Sequence, residues 1–174
     1  MDTLLGRGAL FEGLNEEGRR RLSAMIKRRM LERDEYLFLL GDSATDFFVL
    51  ARGKVDLCLP MRLGGVLKDI SVESVTAGHA LGWSALVRPY RFTLSARANE
   101  PSEVLCLARR DLLDLFEADP GIGYAFLTKF SELVGVRLLT FQALWLRELQ
   151  RAFESDTPRE QRREQEVPWP PTRG

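Results

Sequence analysis

A chain with one histidine has few ways to build a metalloenzyme. Among 174 residues only His79 carries an imidazole, whereas zinc or iron sites in all-β barrels of the cupin type draw on two or three. A Ser-His-Asp triad would have to recruit the same residue, which lies in a turn with no paired signal around it. His79 therefore reads as a solvated turn residue, and no catalytic or metal-ligating residue is expected. Cysteine is almost as scarce. Cys58 and Cys106 lie in apolar, strand-like runs, Leu57-Cys58-Leu59 and Leu105-Cys106-Leu107, so both are expected to be buried, reduced thiols that pack as small hydrophobes. Net charge is missing too: 25 basic and 25 acidic residues balance, which leaves no global field to draw nucleic acid or an anionic membrane. No apolar run approaches the roughly 18 residues that a membrane span needs. The opening Met1-Asp2-Thr3-Leu4-Leu5-Gly6 has no basic stretch followed by a long apolar one, so no signal peptide is expected and the cytoplasm is the default compartment.

What is present is an ordinary globular composition, 45% hydrophobic and 29% charged, in a length that suits one domain with a sizeable core. Leu10-Phe11-Glu12-Gly13-Leu14 forms an apolar knot ahead of a helix. Asn15 is a good N-cap, and Glu16 and Glu17 suit the positive helix start. This helix is expected to run to about Lys27, with Leu22, Met25 and Ile26 on one face. Arg19, Arg20, Arg21, Lys27, Arg28 and Arg29 then make a local basic patch, read as a solvated helix face.

From residue 30 the period changes. Apolar runs at 36–40, 46–51, 54–59, 66–75, 92–98 and 104–108 are separated by Gly, Asp, Ser and Pro, the spacing of antiparallel strands in a sandwich or barrel. Leu40-Gly41-Asp42-Ser43 and Arg52-Gly53-Lys54 are turn signals. After Ala108 the helical period returns, first in a short helix at 111–117. Asp119-Pro120 then opens a long helix over 120–153, as N-cap and first-turn proline. Leu127, Phe130, Val134, Leu138, Phe141, Trp145 and Leu149 make one apolar stripe, and Phe126, Leu133, Leu144 and Leu146 broaden it. That width suggests a partner, most simply the same helix of another copy. Residues 154–174 are polar and end in Val167-Pro168-Trp169-Pro170-Pro171, a composition that reads as a disordered tail.

The stretch 78–98 leaves one strand, makes a glycine-started turn and enters another. Free backbone N–H groups in such a turn can hold an anion, and Arg88 and Arg91 follow closely. With this cassette, the knot at 10–14 and the run from Gly41-Asp42-Ser43 through Gly53-Lys54-Val55 in place, the chain resembles the cyclic nucleotide-binding domain family over about residues 10–151. The resemblance implies a mainly β fold with flanking helices (α+β): a jelly-roll-like, double-stranded β-helix or β-roll of eight strands, followed by a long C-terminal helix. The expected domain is 10–153, with the tail at 154–174.

The resemblance also assigns roles. In the family the cassette carries a glutamate that accepts from the ribose 2′-hydroxyl and an arginine that pairs with the cyclic phosphate. Here Gly82 keeps the glycine, Trp83 stands at the glutamate position, Ser84 follows, and Ala85 continues the small-residue turn. Phe92 falls where the arginine belongs and Thr93 where a Ser or Thr belongs, with Arg91 one residue early. A one-residue shift in a strand reverses the face, so Arg91 is expected to aim outwards while Trp83 and Phe92 fill the pocket. Arg137 and Leu138 match positions where the long helix meets the base. The ligand that the resemblance implies is thus cyclic AMP or cyclic GMP, bound weakly at best, through Gly82, Trp83, Ser84, Ala85, Arg91, Phe92, Thr93 and Arg137.

The function read from these features is a non-enzymatic regulatory or sensory module, forming a homodimer through its C-terminal helix and signalling to a downstream protein. The alternative is a degenerate member that binds no nucleotide and serves as a dimerisation scaffold. The family's bacterial regulators follow the long helix with a helix-turn-helix; the roughly 20 polar residues here are too few for that module, so direct DNA binding is not expected.

Overall fold

The protein is described here by a computed structural model that covers Phe11 and residues 13–156. Helix α1, Glu16–Met25, is capped as its sequence dictates: the Asn15 carboxamide oxygen accepts from the Gly18 N–H at 2.8 Å. Eight strands follow or frame the cassette: β1 Lys27–Leu31, β2 Tyr36–Phe38, β3 Asp46–Arg52, β4 Lys54–Leu63, β5 Val66–Thr76, β6 Ala80–Leu81, β7 Ser95–Ala98 and β8 Ser102–Ala108. They form two four-stranded sheets, ordered β1-β8-β3-β6 and β2-β7-β4-β5, with every pairing antiparallel. Helix α2 is Arg109–Ala118 and α3 is Pro120–Asp156. The mainly β roll with flanking helices is thus the architecture found.

The first helix stops two residues short of the expected end. Ile26 is already extended (φ −70°, ψ 125°), and Lys27, Arg28 and Arg29 open an edge strand paired to β8. The basic patch is therefore split: Arg19, Arg20 and Arg21 lie on the helix, as expected, whereas Lys27, Arg28 and Arg29 do not. Charge on an edge strand blocks further strand addition, and Arg28 pairs with Glu103 on the neighbouring strand at 2.6 Å. The expected 92–98 strand is also shorter. Arg91 makes a single bridge to Ser43, the chain bends at Thr93 and Leu94, and β7 begins at Ser95.

Tight turns and aromatic edges hold the roll. Gly53 joins β3 to β4 at φ 90°, and a Cβ there would meet the Ser102 hydroxyl and the Pro101 carbonyl oxygen. On the helical side, Phe47 and Phe11 meet the ring of Phe126 edge-on at 5.9 and 6.4 Å, and Phe130 lies 6.2 Å from Phe47. Ile122, Phe126 and Phe130 are buried at the start of α3. Asp119 caps that start, its carboxylate accepting from the Ile122 N–H at 3.2 Å.

The chain divides into two compact units at residue 132. The second, from Leu133, is helical to Asp156 among its described residues. Residues 154–156, expected in the tail, thus continue the helix; positions 157–174 lie outside the described residues. The apolar stripe and the set that broadens it are not uniform in exposure: Phe130 of the stripe and Phe126 of the broadening set are buried, while Leu127, Leu138, Phe141, Trp145 and Leu149 are exposed. Periodicity reports a face, whereas burial depends on what stands against it.

Candidate functional site: the cassette and its aromatic stack

Strand β6 delivers the cassette to the roll by pairing with β3, Leu81 opposite Phe48 and Ala80 opposite Val49. Gly82 then takes the left-handed conformation (φ 70°, ψ 31°). A Cβ at this position would come within 2.9 Å of the Phe48 ring and 3.2 Å of the Asp46 carbonyl oxygen. Conformation and space both demand glycine. A 3-10 turn, Trp83–Leu86, follows. Its Ala85 N–H donates to the Gly82 oxygen at 2.9 Å, and the Val87 N–H reaches the Ser84 oxygen at 3.4 Å. Two N–H groups that the sequence offers to an anion are thus turned inward. Ser84 and Ala85 are buried, and Trp83 is half-buried.

Beyond Val87 the chain passes a cis Arg88–Pro89 bond and Tyr90 at φ 60°. The Arg109 guanidinium lies over the Tyr90 ring at 4.5 Å and that of Arg88 at 5.8 Å. Arg109 also donates to the Ala44 oxygen at 3.0 Å, and the Ala44 N–H donates to the Tyr90 oxygen at 2.8 Å. This fastens the cassette to the loop before β3.

Arg91 and Phe92 are the decisive pair. The Phe92 N–H donates to the Asp42 oxygen at 3.0 Å, and the Gly41 N–H to the Phe92 oxygen at 2.8 Å. These bonds fix which side chain faces which way. Arg91 is exposed, and its Nη1 donates to the Gly41 oxygen at 2.8 Å. Phe92 is 5% exposed and lies against Phe38 at 3.8 Å, nearly parallel at 12°. Phe48 completes the group, 5.7 Å from Phe38 and 6.4 Å from Phe92. Burying one phenylalanine side chain is worth about 1.5–3 kcal/mol. The inward place that the resemblance reserves for a phosphate-pairing cation is thus taken by carbon.

Of the eight residues expected at the site, Gly82, Ser84, Ala85 and Phe92 are buried together in the roll. Arg91 and Thr93 are exposed, and Trp83 is intermediate. Arg137 is half-buried and belongs to the second unit. Sequence reasoning missed Phe38 and Phe48. The only signal was the Phe47-Phe48 pair: successive strand residues face opposite sides, so Phe47 meets Phe126 while Phe48 joins the stack.

The other titratable groups have structural partners. Asp56 is buried; burial alone would raise its pKa, but hydrogen bonds from Ser74 (2.5 Å) and Asn99 (2.7 Å), with Lys54 and Arg97 nearby, hold it below its ordinary value. Tyr36 donates to Asp69, which raises the phenol. Burial also pushes up both thiols. Cys106, only partly buried rather than fully buried as expected, reaches about 11. His79 is exposed, its Nδ1 3.1 Å from the Thr76 oxygen. Among the described residues no group of three or more His, Cys, Asp or Glu is placed to hold a metal. None of the described helices is long and apolar enough to cross a membrane.

Comparison with known proteins places this geometry. A family model described as cyclic nucleotide-binding domain matches residues 28–119. A curated relative, the potassium channel AKT6 of Arabidopsis thaliana, is 31% identical over 116 residues, which is 66% of this chain and 12% of the channel. Among solved structures, the Thermus thermophilus catabolite activator protein is 26% identical at TM-score 0.63, over 82% of this chain and 63% of that one. A cyclic nucleotide-binding domain from Methylobacillus flagellatus aligns at TM-score 0.70 and 22% identity, over 85% and 80% of the two chains.

Proposed function

The chain belongs to the cyclic nucleotide-binding domain family, and we propose that it is a non-enzymatic regulatory module of that family that has given up the arginine–phosphate contact. The observation that carries this reading is Phe92, buried in a three-ring stack with Phe38 and Phe48, while the adjacent Arg91 is turned out onto the Gly41 carbonyl. A charge-assisted contact to phosphate is worth about 1.5–3 kcal/mol. Replacing the ribose acceptor with Trp83 as well brings the deficit to several kcal/mol, or about a thousandfold in affinity. Cyclic AMP and cyclic GMP therefore bind weakly or not at all. The output runs through α3, which pairs with the same helix of a second copy and reports to a downstream protein, in the cytoplasm and without direct DNA contact.

The same stack also favours a second reading, a constitutive dimerisation scaffold that needs no ligand. Calorimetric titration with cyclic AMP and cyclic GMP tests the first reading. The expected result is no saturable heat below millimolar ligand, unchanged in Arg91→Ala. Micromolar binding that Arg91→Ala abolishes would overturn it, because the exposed arginine would then be the phosphate ligand. A ligand that changes the association state would exclude the scaffold.

A further inference from the structure

The β4–β5 hairpin has two halves that are held by different means. In the near half, Val55, Leu57 and Val75 are buried in the core, β4 pairs with β7 from Val55 to Cys58, and Asp56 accepts from Ser74 and Asn99 at 2.5 and 2.7 Å. The far half is a ribbon of two strands only. The pairing to β7 ends at Cys58, and residues 59–63 and 66–71 bury no side chain. The halves meet at a bulge: Leu57 stands opposite Glu73 and Cys58 opposite Ser71, which leaves Val72 without a place in the ladder. A bulge bends its strand and interrupts the ladder, so the ribbon has its pivot here.

Among the described residues one side-chain hydrogen bond ties the far half to another strand: the Tyr36 phenol donates to the Asp69 carboxylate. It reaches across the sheet. In the order β2-β7-β4-β5, Tyr36 stands on one edge strand and Asp69 on the other. Tyr36 is opposite Arg97, Arg97 opposite Asp56, and Asp69 opposite Pro60. Asp56, Cys58 and Pro60 alternate onto one face of β4. A phenol running obliquely from the row of Asp56 to the row of Pro60 therefore passes Cys58, the residue between them.

The burial of Cys58 agrees with that path. Its face of β4 is the one turned away from Val55 and Leu57, where solvent is expected, yet Cys58 is 0% exposed. The groups also sense one another. The Tyr36 phenol is raised first by its bond to Asp69 and further by the Cys58 thiol, and Cys58 is raised first by burial and further by Asp69.

We infer that Tyr36 and Asp69 form a strap that closes the far half of the β4–β5 hairpin onto the outer face of its sheet, and that Cys58 meets solvent only when this strap opens about the bulge. The near half, with its own pairing to β7 and its own hydrogen bonds, stays in place during the opening. Segments with few buried side chains and few ties open locally at lower free energy than the whole fold.

The test uses Cys58 as the reporter, in full-length protein carrying Cys106→Ala so that one thiol remains. The probe is dithionitrobenzoate at about pH 8; the Cys58 thiolate attacks its disulfide and releases the coloured nitrothiobenzoate anion. The folded protein is expected to react at least about a hundredfold more slowly than the urea-unfolded chain. Tyr36→Phe keeps the ring and removes the donor, and Asp69→Ala removes the acceptor. Each is expected to speed the reaction about tenfold or more, and the two together no more than the faster one alone. The rates are expected to stay level in urea well below the unfolding midpoint, since a local opening exposes little new surface. A folded protein that reacts like the unfolded chain overturns the shielding. Single variants at the wild-type rate overturn the strap, as do two effects that multiply. Rates that climb with urea in step with unfolding assign the exposure to the whole fold and overturn the pivot.

Discussion

The first turns of α3 and its distal turns draw on the same residue types and end up in opposite surroundings. Ile122, Phe126 and Phe130 are buried, with Phe126 touching Phe11, Phe47 and Phe116. Val136, Leu139, Phe141 and Trp145 are more than half exposed. The first set spends its apolar surface on the stability of one chain. The second leaves it exposed to solvent, the face that the proposed function assigns to association. The cassette repeats the contrast over two residues, with Phe92 inside the roll and Arg91 outside it. In both places what matters is which neighbour a face meets.

That comparison breaks most sharply at Phe126. Phe126→Ala is expected to cost about 3–5 kcal/mol in urea unfolding, whereas Phe141→Ala shifts the roll's unfolding by no more than about 0.5 kcal/mol and lowers the association constant instead. Equal losses at the two positions would show that the distal face also belongs to the core. Next in size is Phe92→Arg. It buries a cation without a partner and is expected to lower stability by about 3 kcal/mol. Millimolar cyclic AMP then raises the melting temperature of the variant and not of wild type. If the nucleotide stabilises neither, the interior position has lost the rest of its phosphate site.

Gly82→Ala follows, at about 1–3 kcal/mol. It meets both the positive φ and the Phe48 ring. A neutral result in thermal melting would mean that the turn relaxes freely. The smallest effect is electrostatic. Burial raises Cys106 from 9.0 to about 11, so the fold favours the protonated thiol. Its contribution is intact below pH 9 and is lost as the pH climbs towards 11. Tyr36, also raised, adds to the alkaline loss. Asp56 and Glu35, both lowered, act at the acid end, where their contribution disappears as the pH falls. Melting temperatures from pH 8 to 11 should decline less steeply for Cys106→Ala than for wild type; parallel curves would remove the thiol from the account.

Much of the roll was legible in the sequence because its strands alternate and its turns carry glycine. The runs expected at 46–51, 54–59 and 66–75 all became strands, each extended by one or more residues. Lys27–Leu31 was not legible, because a basic run following a helix reads as its last turn; only its pairing to β8 makes it a strand. At the cassette, strand parity was enough to separate Arg91 from Phe92. The stack could not be read. Phe38, Phe48 and Phe92 lie up to 54 positions apart, and their meeting depends on β2, β3 and the cassette being brought together by pairings that no local pattern encodes.

The two backbone hydrogen bonds at Phe92 have a consequence for how members of this family can be told apart. They pin the register, so exchanging residues 91 and 92 moves the guanidinium to the interior without moving the chain. The exchanged protein has the same mass, composition and isoelectric point as the original, and every bulk measure of charge is blind to the difference. The information that separates a roll with a cation inside from one with a hydrocarbon inside is a single transposition in the order of two neighbouring residues.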